Sequence, residues 1–173
     1  MVVLRATQKV LKSLPRSAND NDVSDTALGD WYVNRIVVDR QPLLLFVSAG
    51  SLLAMLAPAR NVAKMPEQFP VLVGDRLRRL GVDRNLVESE VNAMKIVRVG
   101  RTQDRSVTGT MVDFAKALPY YLPEDGWDAR DLRLAEDKFA ETPCRCTGSA
   151  TIWPYRDTLK LLHERWRPSV VMH

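Results

Sequence analysis

The segment Arg101 to Phe114, RTQDRSVTGTMVDF, collects arginines, hydroxyl side chains, a glycine and aspartates directly behind a strand-like run. Lys95, Arg98, Arg101 and Arg105 set positive charge against Asp104, just ahead of an expected helix start that carries Ser106, Thr108, Gly109 and Thr110. These residue types suit the binding of an anion. Free amides at a helix N-terminus point at a phosphate or carboxylate, hydroxyls add donors, a glycine lets the backbone approach closely, and arginine grips an anion bidentately. The candidate ligand-binding set is therefore Arg98, Arg101, Arg105, Ser106, Thr108, Gly109 and Thr110. Asp113 follows Ser106 by seven residues, two helical turns, so the two share a face, and Asp113 is the candidate base or metal ligand beside Arg105. A purely structural reading stands next to this one. Ser106 or Thr108 caps the helix, Gly109 permits close packing, and Arg101 or Arg105 pairs with Asp104 or Asp113.

Other reactive residue types form no known motif. Cys144 and Cys146 make a CRC unit, but a zinc site needs four ligands, and the histidines are only His163 and His173, so two reduced thiols and no metal are expected. Neither Ser106 nor Cys144 sits in a nucleophile elbow. The chain has no GxxxxGK[ST] or GxGxxG run, which argues against the common nucleotide loops, and no cofactor is expected. Trp31 and Tyr32, beside Asn34 and Arg35, read first as core anchors and second as a ligand face. Arg76, Arg78 and Arg79 read as a solvated helix face that would widen a basic patch.

The elements that must hold these residues follow from periodicity. Val2 to Leu4 reads as a short strand, and Thr7 caps a short helix that ends near Pro15. Residues 16–27, RSANDNDVSDTA, read as an exposed loop. Asp30 to Asp39 and the apolar LLLFV at 43–47 make a β-hairpin whose turn is Arg40, Gln41 and Pro42. Ser51 to Ala57 is compatible with a strand or a helical turn. Phe69, Val73 and Leu77 share a helical face in 66–80, Asp83 caps a second helix, and KIVRV at 95–99 returns to strand alternation. Val107, Met111, Phe114 and Leu118 give a helix after the arginine-rich segment. Asp128 and Pro154 open two more.

The 173 residues fit one domain, and 46% hydrophobic with 27% charged residues is an ordinary globular balance. The expected fold is α+β: a small antiparallel sheet of three to five strands, from 2–4, 30–57 and 94–99, covered by four to six helices. Leu43 to Ala59 is interrupted by Ser48, Gly50, Ser51 and Pro58, so no membrane span is expected. Arg5 and Lys9 fall where a signal peptide would be apolar, which makes a cytoplasmic location the default. The net charge of +4 and pI near 9.3 permit contact with nucleic acid or another polyanion.

LRATQKVL at 4–11, GDWY at 29–32, LLLFV at 43–47, RTQDRSVTGTM at 101–111 and ETPC at 141–144 together resemble an uncharacterised family of short bacterial proteins, catalogued only as a domain of unknown function. The resemblance spans most of the chain. It implies a bacterial origin and an Asn where Val112 stands, and it brings no activity. The leading expectation is a small cytoplasmic protein that binds an anionic partner, nucleic acid or a phosphate-containing ligand. A hydrolase or transferase acting on a phosphate-containing substrate is the second. A protein-interaction module, such as a toxin–antitoxin component, is the third.

Overall fold

The computed structural model describes residues 1–145 and 150–167. A five-stranded sheet forms its middle, with β1 (Val2–Ala6), β2 (Trp31–Val38), β3 (Gln41–Ser48), β4 (Ala54–Pro58) and β5 (Val97–Arg101) in the order β4-β3-β2-β1-β5. The helices are α1 (Gln8–Leu11), α2 (Met65–Arg79), α3 (Arg84–Asn92), α4 (Arg105–Tyr121), α5 (Ala129–Glu141) and α6 (Pro154–Trp166). This is a single α+β domain. No helix among the described residues is long and apolar enough to cross a membrane.

The sheet is mixed rather than wholly antiparallel. β2, β3 and β4 form an antiparallel meander, while β1 runs parallel to both β2 and β5. Hairpin chemistry reads out the meander, because its turns are local. The direction of β1 is set by long connections that no local signal encodes.

Both faces of the sheet are covered, which explains why LLLFV shows no polar alternation. On one face Leu44 and Phe46 pack with Trp31, Leu4 and the stripe Met65, Phe69, Val73 and Leu77 of α2. On the other, Leu43, Leu45 and Val47 meet Val107, Met111, Phe114 and Leu118 of α4 and Leu132 and Phe139 of α5. Trp31 is fully buried and edge-on to Phe69, with 5.7 Å between ring centres, so it is a core anchor and no ligand platform.

The hairpin turn is tighter than its composition suggests. Asp39 and Arg40 both take positive φ, 50° and 65°, and close a two-residue turn of the I′ kind, so Gln41 and Pro42 already belong to β3. Ser51 to Ala57 resolves into a strand from Ala54, paired with β3. Asp83 and Asp128 cap α3 and α5, the latter in a full capping box with Asp131.

Residues 16–27 form a loop without regular structure, half of it exposed and tied down at several points. The amides of Ser17 and Ala18 both donate to the Val99 carbonyl, and Ser17 Oγ accepts from the Val99 amide, so the loop is held against β5. Glu90 is wholly buried and accepts from the amides of Ala27 and Leu28 and from Trp166 Nε1, which fastens α3 and α6 to the end of the same loop.

Candidate functional site

The arginine-rich segment begins at the carboxyl end of β5. Strand register sets Arg101 directly beside Ala6, the last residue of β1, so the ends of two parallel strands lie together. From there the chain leaves in opposite directions. α1 packs on the α2 side of the sheet through Val10, and α4 packs on the other side through Val107 and Met111. In open sheets, ligands bind outside the carboxyl ends of adjacent parallel strands where connections part to opposite faces.

Inside this region, several expected ligand groups have structural partners. Arg101 makes a bidentate pair with Asp20 of the 16–27 loop, Nε to Oδ1 at 3.0 Å and Nη2 to Oδ2 at 2.7 Å. Arg16 pairs with the same carboxylate. The Arg101 hydrogen bond holds the Asp20 carboxyl below its usual value. Asp104, not Ser106 or Thr108, caps α4: its side chain accepts from the Ser106 amide at 2.8 Å, while its own amide donates to the Tyr32 hydroxyl. The hydroxyls of Thr108 and Thr110 donate back to the carbonyls of Arg105 and Ser106. Back-bonding to the carbonyl three or four residues earlier is the ordinary way for a threonine to satisfy itself inside a helix.

Arg98 and Arg105 are exposed and make no ion pair among the described residues, and Ser106 is half-buried beside Arg105. Gly109 is exposed, and a methyl group built on it would touch nothing within 4 Å, so it serves no close packing. Gly109→Ala is expected to stabilise the protein by about 0.5–1 kcal/mol, measured by urea unfolding, because alanine restricts the unfolded chain and favours helix. A loss of stability would show that the helix start needs glycine for its backbone.

A second polar group lies beneath the loop. Arg5, 1% exposed, donates from Nε to Asp30 at 2.9 Å and from Nη2 to the Asp22 carbonyl, while Nη1 has no partner among the described residues. Gly100 stands opposite it on β5, and a Cβ there would come within 2.8 Å of Arg5 Nη1. Gly100 thus leaves room for the buried Arg5 guanidinium.

Asp113 is exposed and lies on the rim of a groove of about 580 Å³ with Thr110, Cys144 and Arg145. Arg105 does not line that groove. Cys144 bridges to Ile152 through the backbone, and Cys146 and His173 lie outside the described residues. Among the described residues no group of three or more His, Cys, Asp and Glu side chains is placed to hold a metal ion.

The expectation for Arg76 is corrected outright. It is fully buried and donates to the Ala54 carbonyl at 3.2 Å, to Asp137 at 3.0 Å and to the Glu136 carbonyl at 3.1 Å, with the Glu136 carboxylate 3.5 Å away. Arg79 completes the group at 3.1 Å from Glu136. These residues sit at β4, the edge opposite β5, and do not extend a patch beside Arg101. Their task is visible in the partners: Arg76 takes the Ala54 carbonyl and Glu136 takes the Leu56 amide, groups that an edge strand would leave open. Burial pushes the Glu136 carboxyl up, against the pull of Arg76 and Arg79, and draws Arg76 down.

Asp20 and Tyr32 are the partners that sequence reasoning missed. Asp20 lies 81 residues from Arg101, inside a loop whose composition signals only exposure, and no spacing connects them. A family model described as Domain of unknown function (DUF6933) matches residues 3–157. No curated protein matches the chain.

Proposed function

The chain belongs to this family of unknown function, and from its own geometry we propose that it is a small cytoplasmic protein, bacterial in origin, that binds an anionic partner at the carboxyl ends of β1 and β5. The observation that carries the reading is the parting of α1 and α4 to opposite faces beside Arg101, with Arg98 on β5 and Arg105 at the start of α4 both exposed and their side chains unpaired among the described residues. Asp20 is an internal anion on Arg101, and an incoming phosphate or carboxylate competes with it for the same guanidinium. A polyanion such as nucleic acid is the favoured partner, because two exposed arginines on separate elements, one on β5 and one at the start of α4, offer several contacts to a phosphate chain. Arg98, Arg105, Ser106 and the opening turn of α4 make the contacts, and Arg101 joins them once Asp20 is displaced.

Fluorescence anisotropy with single- and double-stranded oligonucleotides and with polyphosphate, at several salt concentrations, tests it. Binding is expected to weaken as salt rises, and Arg105→Ala to lower the salt slope by about 1. Asp20→Ala is expected to tighten binding by releasing Arg101. The proposal fails if nothing binds at low salt, or if Arg98→Ala together with Arg105→Ala leaves the affinity unchanged.

A further inference from the structure

At the other edge of the sheet, α2 covers one face beside β4 and α5 covers the other, and between them lies a cavity of about 450 Å³. That volume is in the range that holds a small organic molecule. Its walls are apolar: Leu56 of β4, Leu72 of α2, Leu132 of α5 and the ring of Trp127. The ring is fixed in place, since Trp127 Nε1 donates to Asp39 of the hairpin turn at 2.8 Å.

The charges around this apolar hollow do not cancel. Three carboxylates line it, and each is engaged elsewhere. Asp75 pairs with Arg78 at 3.1 Å, Asp128 accepts the amides of Arg130 and Asp131, and Glu136 is held by Arg79 and Arg76. Arg40 from the turn, Arg60 from the segment after β4 and Arg133 from α5 also line it, and none of the three side chains has a hydrogen bond or ion pair among the described residues. Three guanidinium groups from separate stretches of chain therefore line one hollow whose carboxylates are already paired with other groups.

We infer that this cavity is a binding site for a small amphiphilic anion, an aliphatic or aromatic body carrying a carboxylate or phosphate head. The body fills the space between Leu56, Leu72, Leu132 and Trp127, where removal of its apolar surface from water drives binding. The head lies at the rim, where Arg40, Arg60 and Arg133 supply charge-assisted hydrogen bonds. Uncharged apolar molecules gain nothing from the arginines, and a simple inorganic anion leaves the walls unfilled, so both bind more weakly. The site shares no residue with the surface proposed at β5, so each stands or falls alone.

The probe is 8-anilino-1-naphthalenesulfonate, an aromatic body with an anionic head, titrated into the folded protein and followed by its fluorescence. It is expected to bind, to be displaced by octanoate or octyl phosphate, and to resist octanol at equal concentration. The stronger of the two anionic competitors identifies the head group. Arg60→Glu with Arg133→Glu is expected to weaken probe binding on the order of tenfold or more. Both arginine side chains are exposed and have no partner among the described residues, so circular dichroism and Tm should match the parent. Arg98→Glu with Arg105→Glu, which lie outside this cavity, should leave probe binding unchanged. Absence of probe binding, equal displacement by octanol, or indifference to the Arg60 and Arg133 reversals would each overturn the assignment.

Discussion

Arg76→Ala is expected to lower the free energy of unfolding by about 3–5 kcal/mol, read as a fall in the urea midpoint at unchanged slope. The guanidinium is wholly buried and spends its donors on the Ala54 carbonyl, the Glu136 carbonyl and the Asp137 carboxylate. Truncation strands the Ala54 carbonyl at the sheet edge and leaves Glu136, 1% exposed, with Arg79 as its one remaining cation. Asp137 suffers less, since its side chain is 55% exposed and rehydrates. The asymmetry is general: making a buried ion pair gains little over an apolar one, whereas breaking one leaves an uncompensated charge. Arg76→Lys should rescue only a fraction, because an ammonium cannot span three acceptors that a planar fork reaches together. Arg79→Ala should cost clearly less, as that side chain is one-third exposed. Should Arg76→Ala unfold within 1 kcal/mol of the parent, water must be replacing the guanidinium and the account of the β4 edge is wrong.

Phe139→Ala is expected to cost about 3–5 kcal/mol, a fall in Tm on the order of 10 °C for a domain of this size. Phe139 stacks on Phe114 at 4.5 Å between ring centres and meets Tyr121 edge-on at 5.3 Å. It is the place where α5 grips α4 against the sheet, and at 1% exposure it has no route to water. Removal opens a cavity that neighbouring helices close only in part. Phe114→Ala should cost a similar amount, and the double substitution less than the sum, because the two rings share one contact. The functional consequence is separable from stability. α4 carries Arg105 and Ser106, so a looser α4 should weaken anion binding even at temperatures where the variant remains folded. An additive double mutant would show that the rings do not act as a unit.

The polar half of the 101–114 segment shows how far residue types carry and where they stop. Arg101, Asp104, Thr108 and Thr110 have the chemistry that anion binding uses, yet each has a partner inside the protein: Asp20, the Ser106 amide, and two helix carbonyls. The apolar half was plain from spacing alone, and Val107, Met111, Phe114 and Leu118 are all buried. The contrast has a physical cause. Apolar periodicity is a property of one element and survives reading in one dimension, whereas a hydrogen bond depends on which distant group folds beside it.

By itself the chain determined the α+β class, the hairpin, the caps at Asp83 and Asp128 and the buried stripes of α2 and α4, because each rests on neighbours a few residues apart. Only the tertiary structure decided that β1 lies parallel between β2 and β5, that Arg76 is a buried tie for the β4 edge, and that Asp20 sits on Arg101. It alone brought Arg40, Arg60 and Arg133 around one apolar hollow. Long connections set these relations, and charged side chains read alike in sequence whether water or a buried carboxylate awaits them.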